Sequence, residues 1–334
     1  MPYRTSTPSE PLKKDNIVKI ITYAQAASEA LIEEFQRDPK TLHLATDMEQ
    51  QLLELFGPER IRQLPIAESS FVGAAIGLAG SGFRPVVNVR MATFAFVAMD
   101  QFVNQAAKIT YMFGGQRAFP ILYRMTVGAS KSFAAQHSIS PYSMYMNVPG
   151  LKLIIPATPY DVKGLLKTAI RDNNPVISFE HMGLGDVLGE VPEEEYTIPF
   201  GQAALRRKGS DVTVVALAKM MHEALAVAEE LAPEGINVEV IDPRTLVPMD
   251  YDTIKQSVSK TGRLVVVDEA CLTCSAAAEI TARIAEDPEI FSTLKSAPRR
   301  VCGLDLPIPY SPPMEYYALP NREKIRKAIQ EVLA

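Results

Sequence analysis

The chain has 334 residues, enough for two domains of ordinary size, and its 47% hydrophobic and 22% charged residues are typical of a globular protein with a substantial core. The formal net charge of −5 provides no broad basic surface, which excludes nucleic acid as an expected partner. No apolar run reaches the roughly 18 residues of a membrane-spanning helix, so no membrane partner is expected either. Three cysteines are too few for a disulfide framework, and a reducing, cytoplasmic location is expected.

The first half of the chain alternates short apolar runs with helical stretches. Residues 1–16 are polar and contain prolines, and we interpret them as a mobile tail or an arm that wraps a partner. Thr22 is predicted to cap a helix that runs to about Arg37, and a further helix is predicted near residues 100–111. The predicted strands cover residues 41–45, 85–89, 121–124, 151–155 and 176–179. This alternation predicts a mostly parallel sheet with helices on both faces.

An acidic, proline-containing stretch at residues 189–195 predicts an interdomain link. The alternation then restarts, with strands predicted over 211–217, 237–241 and 263–267 and helices over 222–231, 251–260 and 321–333. The sequence therefore predicts an α/β fold of two consecutive domains, each a mostly parallel sheet flanked by helices. The predicted boundaries are 17–190 for the first domain, 191–204 for the linker and 205–334 for the second domain.

A single carboxylate, Glu68, precedes a helical run built from small and apolar residues over 69–79. Glycines at 73, 77, 80 and 82 leave room for another backbone or a flat ligand to approach closely. In such apolar surroundings desolvation should raise the pKa of Glu68, and a carboxyl that is neutral near pH 7 can donate a hydrogen bond. From spacing alone, an ordinary helix N-terminal Glu that complements the helix dipole is an equal alternative.

Two further features could take part in chemistry. His137 lies in a loop rich in small residues, 128–140, where an imidazole can titrate near neutrality and act as an acid, a base or a contact for a substrate carboxylate. Cys271 and Cys274 have CxxC spacing, which fits a redox pair or half a zinc site. No second CxxC or clustered His completes a metal shell, so packing thiols are favoured.

Eight segments resemble one known family. They cover residues 65–79, 84–101, 111–115, 128–138, 155–161, 169–175, 242–248 and 307–310. In these segments the chain resembles the β subunit of the thiamine-diphosphate-dependent 2-oxo acid dehydrogenases, a group in the transketolase-like superfamily that includes the pyruvate, branched-chain and acetoin enzymes. The resemblance implies a transketolase pyrimidine-binding domain followed by a transketolase C-terminal domain.

The resemblance also implies roles for individual residues. Glu68 matches the glutamate that meets N1′ of the cofactor aminopyrimidine, where a shared proton helps to activate the thiazolium C2. Phe94 matches the aromatic residue that packs on the aminopyrimidine ring, and Phe96 would face the same way in an extended segment, with core packing as the alternative for both. His137 matches a histidine that works near the substrate and in acyl transfer to a lipoyl group.

The same resemblance places a structural potassium ion, found in some members, at Ile121, Ala169, Ile170, Asp172 and Asn174, although turn chemistry at a helix end explains these residues equally well. The family holds the diphosphate and Mg²⁺ through a Gly-Asp-Gly motif and a downstream Asn in the α subunit. Gly185-Asp186-Val187 does not match that motif, so an α partner is implied, with two α and two β chains in the assembly.

Three departures from the family pattern concern the steps after decarboxylation. Thr46 stands where the family has a Glu and the following loop is shortened, Ile139 replaces a Gln, and Asp268 replaces a common His. The favoured function is 2-oxo acid decarboxylation with transfer of the acyl unit to a lipoyl group, possible partners including a lipoyl acyltransferase. The alternative is a thiamine-diphosphate-dependent carboligase or transketolase-like acyl transfer enzyme. A dinucleotide-binding dehydrogenase is disfavoured because the GxGxxG fingerprint is missing, and Glu68 with His137 argues against a non-catalytic scaffold.

Overall fold

The computed structural model describes residues 18–334, so the tail predicted for residues 1–16 lies outside the described part of the chain. The strands of the first half are β1 (Val18–Thr22), β2 (Thr41–Ala45), β3 (Ile61–Gln63), β4 (Arg84–Met91), β5 (Leu122–Val127), β6 (Lys152–Ile154), β7 (Val176–His181) and β8 (Leu188–Pro192). Its helices are α1 (Tyr23–Arg37), α2 (Gln50–Phe56), α3 (Glu68–Gly80), α4 (Ala107–Met112), α5 (Tyr142–Met146) and α6 (Pro159–Arg171). A π-helical stretch, Gln101–Ala106, leads directly into α4.

The second half repeats the pattern. Its strands are β9 (Ala204–Arg207), β10 (Val212–Ala216), β11 (Val238–Asp242), β12 (Thr245–Val247), β13 (Leu264–Cys271) and β14 (Arg299–Gly303). Its helices are α7 (Lys219–Leu231), α8 (Tyr251–Thr261), α9 (Ala276–Ala285), α10 (Pro288–Phe291), α11 (Pro312–Ala318) and α12 (Arg322–Leu333).

Two large sheets organise these elements. A seven-stranded sheet has the order β12-β6-β7-β5-β4-β2-β3, and a five-stranded sheet has the order β14-β13-β10-β11-β9. Within them only the pairings of β12 and β9 are antiparallel, among the described strands, while β1 and β8 form a separate antiparallel pair. The predicted class, two consecutive α/β domains with mostly parallel sheets, is confirmed.

Local sequence signals explain where several elements begin. The Thr22 hydroxyl accepts a hydrogen bond from Gln25 N at 3.1 Å, and the Gln25 side chain accepts one from Thr22 N at 2.9 Å, which forms a complete capping box at the start of α1. The predicted helix after Thr22 is thereby confirmed. The boundary of the two domains is less simple, because β12 comes from the second half of the chain and extends the first sheet. The division at 191–204 stays a prediction.

A cluster of buried ion pairs connects the two domains. Arg206 of β9 contacts Asp161 of α6 and lies 2.7 Å from Asp242, and Arg244 Nε lies 2.7 Å from Asp161 Oδ1. Asp161 and Asp242 are both fully buried. Burial would raise the pKa of Asp161, but Arg206 and Arg244 hold it below its usual value. The first domain thus supplies a buried anion that the second domain neutralises.

A second polar cluster lies inside the first sheet. Arg124 of β5 makes a two-point ion pair with Glu180 of β7, at 2.8 and 2.6 Å. Close by, Glu49 Oε1 accepts a hydrogen bond from Asn88 and lies 3.2 Å from His43 Nε2. Burial opposes ionisation of Glu49, yet His43, Arg124 and Asn88 together lower its pKa to about 2.

No helix within residues 18–334 is both long and apolar enough to cross a bilayer.

Replacing Arg206 by Leu should lower the free energy of unfolding by about 3–5 kcal/mol, because it leaves Asp161 and Asp242 buried without their shared cation. Urea unfolding of the full-length chain measures the change. Arg62→Leu is the matched control, since Arg62 pairs with Glu59 at the surface and its loss should cost within ~0.5 kcal/mol. Equal losses in the two variants would contradict the interdomain role.

Glu49→Gln should reduce the acid sensitivity of the fold. The folded-state pKa of about 2 lies below the ordinary value of 4.5, so ionised Glu49 stabilises the fold fully above pH ~5 and progressively less as the pH falls towards 2. The variant should be less stable than the parent by about 1–3 kcal/mol at pH 7, and the difference should vanish near pH 2–3. Urea titrations at pH 7, 5, 4 and 3 test this, with exposed Glu59→Gln as the control that should follow the parent at every pH.

Candidate active site

Glu68 is the first residue of α3, at the helix N-terminus that both sequence interpretations required. Helical spacing places it on the same stripe as buried Phe71, Val72 and Ala75, but at the open end of that stripe. The residue is half-buried, and its side chain makes no hydrogen bond or ion pair with any part of residues 18–334. The fully apolar surroundings predicted from the sequence are therefore incomplete in a single chain.

The glycines of α3 divide into two kinds. A Cβ at Gly73 would lie 2.9 Å from Gln101 Oε1 and one at Gly80 would lie 3.1 Å from the Phe119 ring, so these two positions allow close internal packing. A Cβ at Gly77 would meet nothing within 4 Å, because this position is exposed. The predicted room for close approach is thus present on the outer face of α3, around Gly77.

The aromatic segment after β4 corrects one expectation. Phe94 and Phe96 lie in a 3₁₀-helix, Phe94–Ala98, rather than in an extended strand end. At three residues per turn, side chains two positions apart point in different directions, so the two rings do not face the same way. Phe94 is half-buried, whereas Phe96 is 38% exposed. Phe94 therefore remains the better candidate for a ring that stacks on a ligand, and Phe96 is separated from it.

A hydrogen bond joins the start of α3 to this 3₁₀-helix. Ser69 Oγ donates to the carbonyl oxygen of Val97 at 2.5 Å. Ser69 follows Glu68 directly, and Val97 follows Phe96, so the bond fixes two predicted site segments against each other. No sequence pattern predicts this pairing, because a single serine hydroxyl is common at helix starts.

The same 3₁₀-helix meets the loop that contains His137. Thr93 Oγ1 donates to the carbonyl oxygen of Gln136 at 2.5 Å, and the rings of Phe94 and His137 meet edge to face with centroids 5.4 Å apart. The half-buried His137 is thus placed by the residue that precedes Phe94 and by Phe94 itself. These contacts therefore link the three segments that contain Glu68, Phe94 and His137.

Sequence reasoning missed two carboxylates that contact the His137 loop from the second domain. Glu269 accepts a hydrogen bond from Ala129 N at 2.6 Å, and Glu315 accepts hydrogen bonds from Ser130 N and Ser132 N at 3.2 Å each. Both glutamates are buried. Their spacing in sequence from residue 137 is too great for any local pattern to indicate the contact. The only available signal was an acidic residue within an apolar strand, which Glu269 provides.

The turn predicted to hold potassium has its oxygen atoms paired within the chain. Arg84 Nη1 donates to the carbonyl oxygens of Ile170 and Asp172 at 3.0 Å each, and Lys152 pairs with the Asp172 carboxylate. The other Asp172 carboxylate oxygen accepts hydrogen bonds from Asn174, and the carbonyl oxygen of Ile121 accepts one from Val176 N at 2.8 Å. Cationic side chains therefore neutralise part of this turn, and the potassium site at Ile121, Ala169, Ile170, Asp172 and Asn174 stays a prediction.

Two of the three departures from the family pattern, at Thr46 and Asp268, lie near polar contacts. Glu49, three residues after Thr46, supplies a half-buried acid beside His43 and Asn88. Asp268 accepts a hydrogen bond from the hydroxyl of Tyr142 in the first domain and from Ala270 N at 2.9 Å, so it contributes to the domain contact. Burial raises its pKa despite these hydrogen bonds.

The CxxC cysteines are not core residues, which corrects the packing interpretation. Cys271, at the end of β13, and Cys274, in the loop that follows, are both exposed, and all three cysteines are free thiols. Burial of the thiol and the nearby Asp305 raise the pKa of Cys271, which lowers its thiolate fraction. No group of three or more His, Cys, Asp or Glu side chains within residues 18–334 could hold a metal ion.

Two family models match the chain. Residues 19–185 match the transketolase pyrimidine-binding domain, and residues 201–325 match the transketolase C-terminal domain. A solved split-gene transketolase, described as an inactive β4 tetramer, superposes with a TM-score of 0.76 over 94% of this chain and 98% of its own, at 23% identity, which shows a common fold.

Relatives of higher identity cover nearly the whole chain. The β subunit of acetoin:2,6-dichlorophenolindophenol oxidoreductase from Cupriavidus necator is 42% identical over 92% of this chain and 96% of its own length. The β subunit of 2-oxoisovalerate dehydrogenase from Bacillus subtilis is 37% identical over 94% and 99%, and the pyruvate dehydrogenase E1 component β subunit from Rickettsia felis is 41% identical over 93% and 98%. The chain therefore belongs to the transketolase-like family of 2-oxo acid and acetoin dehydrogenase β subunits.

Proposed function

We propose that this chain is the β subunit of a thiamine-diphosphate-dependent enzyme that decarboxylates a 2-oxo acid together with an α subunit and passes the acyl unit to an acceptor such as a lipoyl group. The observation that supports this most directly is that contacts link the three separate segments that contain Glu68, Phe94 and His137. Together they offer a carboxylate, an aromatic face and an imidazole, which are the groups that a cofactor pyrimidine and a 2-oxo acid would need.

The residues present fit the pyrimidine end of the cofactor. Glu68 has a carboxylate without a partner among the described residues, and Phe94 has a half-buried ring in the 3₁₀-helix that Ser69 contacts. A carboxylate can share a proton with a ring nitrogen, and an aromatic ring can stack on a planar heterocycle. When bound, thiamine diphosphate supplies the electron sink for decarboxylation. Glu68 would hold the proton at the pyrimidine N1′ position, and Phe94 would orient the ring.

His137 is proposed to act on the substrate side. Its ring is held edge-on against Phe94, and its backbone N–H donates to the Ala134 carbonyl oxygen at 3.3 Å, so its position relative to the stacking ring is fixed. An imidazole there can bind the substrate carboxylate or move a proton when the acyl unit leaves. The Gln that follows in the family pattern is replaced by Ile139, whose carbonyl oxygen accepts a hydrogen bond from Gly128 N at 3.2 Å.

The remaining parts of the site are assigned to a partner. We propose that an α chain with a Gly-Asp-Gly motif holds the diphosphate and Mg²⁺, in an assembly of two α and two β chains, and that it also covers the half-buried Glu68 carboxylate. Covering this carboxylate would complete the apolar surroundings that its role requires. A cytoplasmic location is part of the same proposal, supported by three free thiols.

A carboligase or transketolase-like acyl transfer enzyme is the second candidate. It is favoured by the replacements at Thr46 and Ile139, which remove an acid and an amide next to the proposed site. Both candidates use Glu68 in the same way and differ only in the acceptor of the acyl unit.

Glu68→Gln should lower the rate of decarboxylation by about 10²–10⁴-fold, because an amide cannot share the proton that the carboxylate holds. The rate is measured in the complex reconstituted with the α subunit, with 2,6-dichlorophenolindophenol as electron acceptor and a panel of short linear and branched 2-oxo acids as substrates. The matched control is Glu59→Gln, an exposed surface acid that should leave the rate unchanged. A fully active Glu68→Gln complex would remove this mechanism.

A lipoyl domain should accept the acyl unit from the reconstituted pair. After incubation with the preferred 2-oxo acid, we expect the oxidised lipoyl domain, whose disulfide is the two-electron acceptor, to gain one acyl group as a thioester on one sulfur and one hydrogen on the other. No such product is expected with His137→Ala. Decarboxylation without any lipoyl product, together with carbon–carbon bond formation when an aldehyde is added, would favour the carboligase instead.

A further inference from the structure

The loop that leads into His137 has an unusual backbone. Gly128, Ser130, Ser132 and Ala134 all have positive φ values, of 87°, 88°, 54° and 58°. Such values are uncommon for residues other than glycine and persist only where the surrounding structure holds them. Alternation of this kind aims successive backbone N–H groups into one concave space, which suits an anion. We call residues 128–134 the nest loop.

The anion in this concavity is Glu315 of the second domain. Its Oε1 accepts hydrogen bonds from Ser130 N and Ser132 N at 3.2 Å each, and its Oε2 lies 3.3 Å from Ser132 N. Glu315 is only 5% exposed, although it lies on the short helix α11 near the surface. Hydrogen bonds from backbone N–H groups to an ionised carboxylate are stronger than neutral ones.

Glu269 holds the start of the same loop. Its Oε1 accepts from Ala129 N at 2.6 Å, and its Oε2 lies 2.9 Å from His181 Nε2. His181 Nδ1 accepts a hydrogen bond from Gly183 N at 2.9 Å, so His181 Nε2 is the donor to Glu269. A Cβ at Gly128 would lie 2.1 Å from the His181 ring, which leaves the loop no room to shift towards the sheet.

Other contacts from the second domain close the outer side of the loop. Lys219 Nζ donates to Ser130 Oγ at 2.7 Å, and buried Ala129 packs in a small apolar cluster with Ile308 and Leu319. The nest loop therefore touches β13, α7 and α11, although it belongs to the first domain. Its shape is set by the second domain.

A short turn connects this loop to His137. Only residues 135 and 136 separate Ala134 from His137, and His137 N donates to the Ala134 carbonyl oxygen. On the far side, Thr93 holds Gln136 against the 3₁₀-helix that contains Phe94. The His137 turn is thus held from two sides, by the nest loop through Ala134 and by Thr93 through Gln136.

We propose that Glu315 is a positioning residue: its carboxylate, aided by Glu269, holds the nest loop in its strained shape and thereby keeps the His137 imidazole against Phe94. The second domain would then control the substrate side of the site without touching the substrate. The kinetic part of this inference rests on the proposed function of His137, whereas the effect on the loop does not.

Trypsin cleavage after Lys131 measures the loop directly, because Lys131 is exposed and lies between the two amides that Glu315 binds. In the full-length chain, Glu315→Ala should accelerate this cleavage by about tenfold or more, since two hydrogen bonds to a charged acceptor are lost. Glu315→Gln keeps a carbonyl oxygen that can accept both bonds, and its rate should stay within about threefold of the parent. Where Glu315→Ala fails to fold, Glu315→Asp replaces it and should show the same acceleration.

The matched control is Glu323→Ala, an exposed acid in the first turn of α12, which should leave cleavage after Lys131 unchanged. The C2 proton resonance of His137, identified among four histidines with His137→Asn, should move in Glu315→Ala because the imidazole leaves the ring current of Phe94. In the reconstituted complex, Glu315→Ala and His137→Ala should be non-additive, since both remove the same positioned imidazole.

Equal cleavage rates and an unmoved His137 resonance in Glu315→Ala would overturn the positioning role, whatever the complex does with 2-oxo acids. Faster cleavage and a shifted resonance would support it even if Glu68→Gln proved fully active. A fully active Glu68→Gln complex would contradict the proposed function and leave the positioning role of Glu315 in place. The failure of one proposal can therefore be told apart from the failure of the other.

Discussion

The placement of the candidate site depends on one constraint, the burial of Asp161 between two arginines of the second domain. A buried carboxylate without a cation is costly, so the first domain is stable in this form only while Arg206 and Arg244 remain in place. The domain contact that this ion cluster fixes also brings Asp268 to Tyr142 and Glu315 to the nest loop. The site on the first domain therefore takes its shape from residues more than a hundred positions away in the sequence.

The regular elements were predictable wherever local signals were strong. The capping residue Thr22 and the alternation of apolar strands with helices predicted the right fold class and the right order of the main elements. The acidic, proline-containing stretch predicted as a link over 189–195 instead begins within strand β8. The short strands β3, β9 and β12 were not predictable, because three or four residues contain no measurable period and their pairing is decided by the tertiary contact.

The residues of the candidate site were predictable from short sequence segments, whereas their contacts with the second domain were not. Glu68 and His137 stand out in local sequence patterns, whereas Phe94 was proposed from the family resemblance; the roles of all three stay proposals. The 3₁₀ conformation that separates Phe96 from Phe94 was missed, since an aromatic run after a strand resembles a continuing strand. Glu269 and Glu315 were missed for a different reason: their contacts with the nest loop bridge about 140 and 185 positions, and no spacing rule extends across domains.

The strand β12 has a consequence for how this protein can be divided. It crosses from the second half of the chain to the outer edge of the first sheet, where it pairs with β6. A first domain made alone would present β6 as an open edge, and unpaired edges recruit other strands. The two domains thus follow one another in sequence, yet one sheet contains strands from both. Recombination between the two halves of the gene would therefore separate the first sheet from its edge strand β12. The smallest gene segment that encodes both sheets in complete form is therefore the one that encodes the whole two-domain chain.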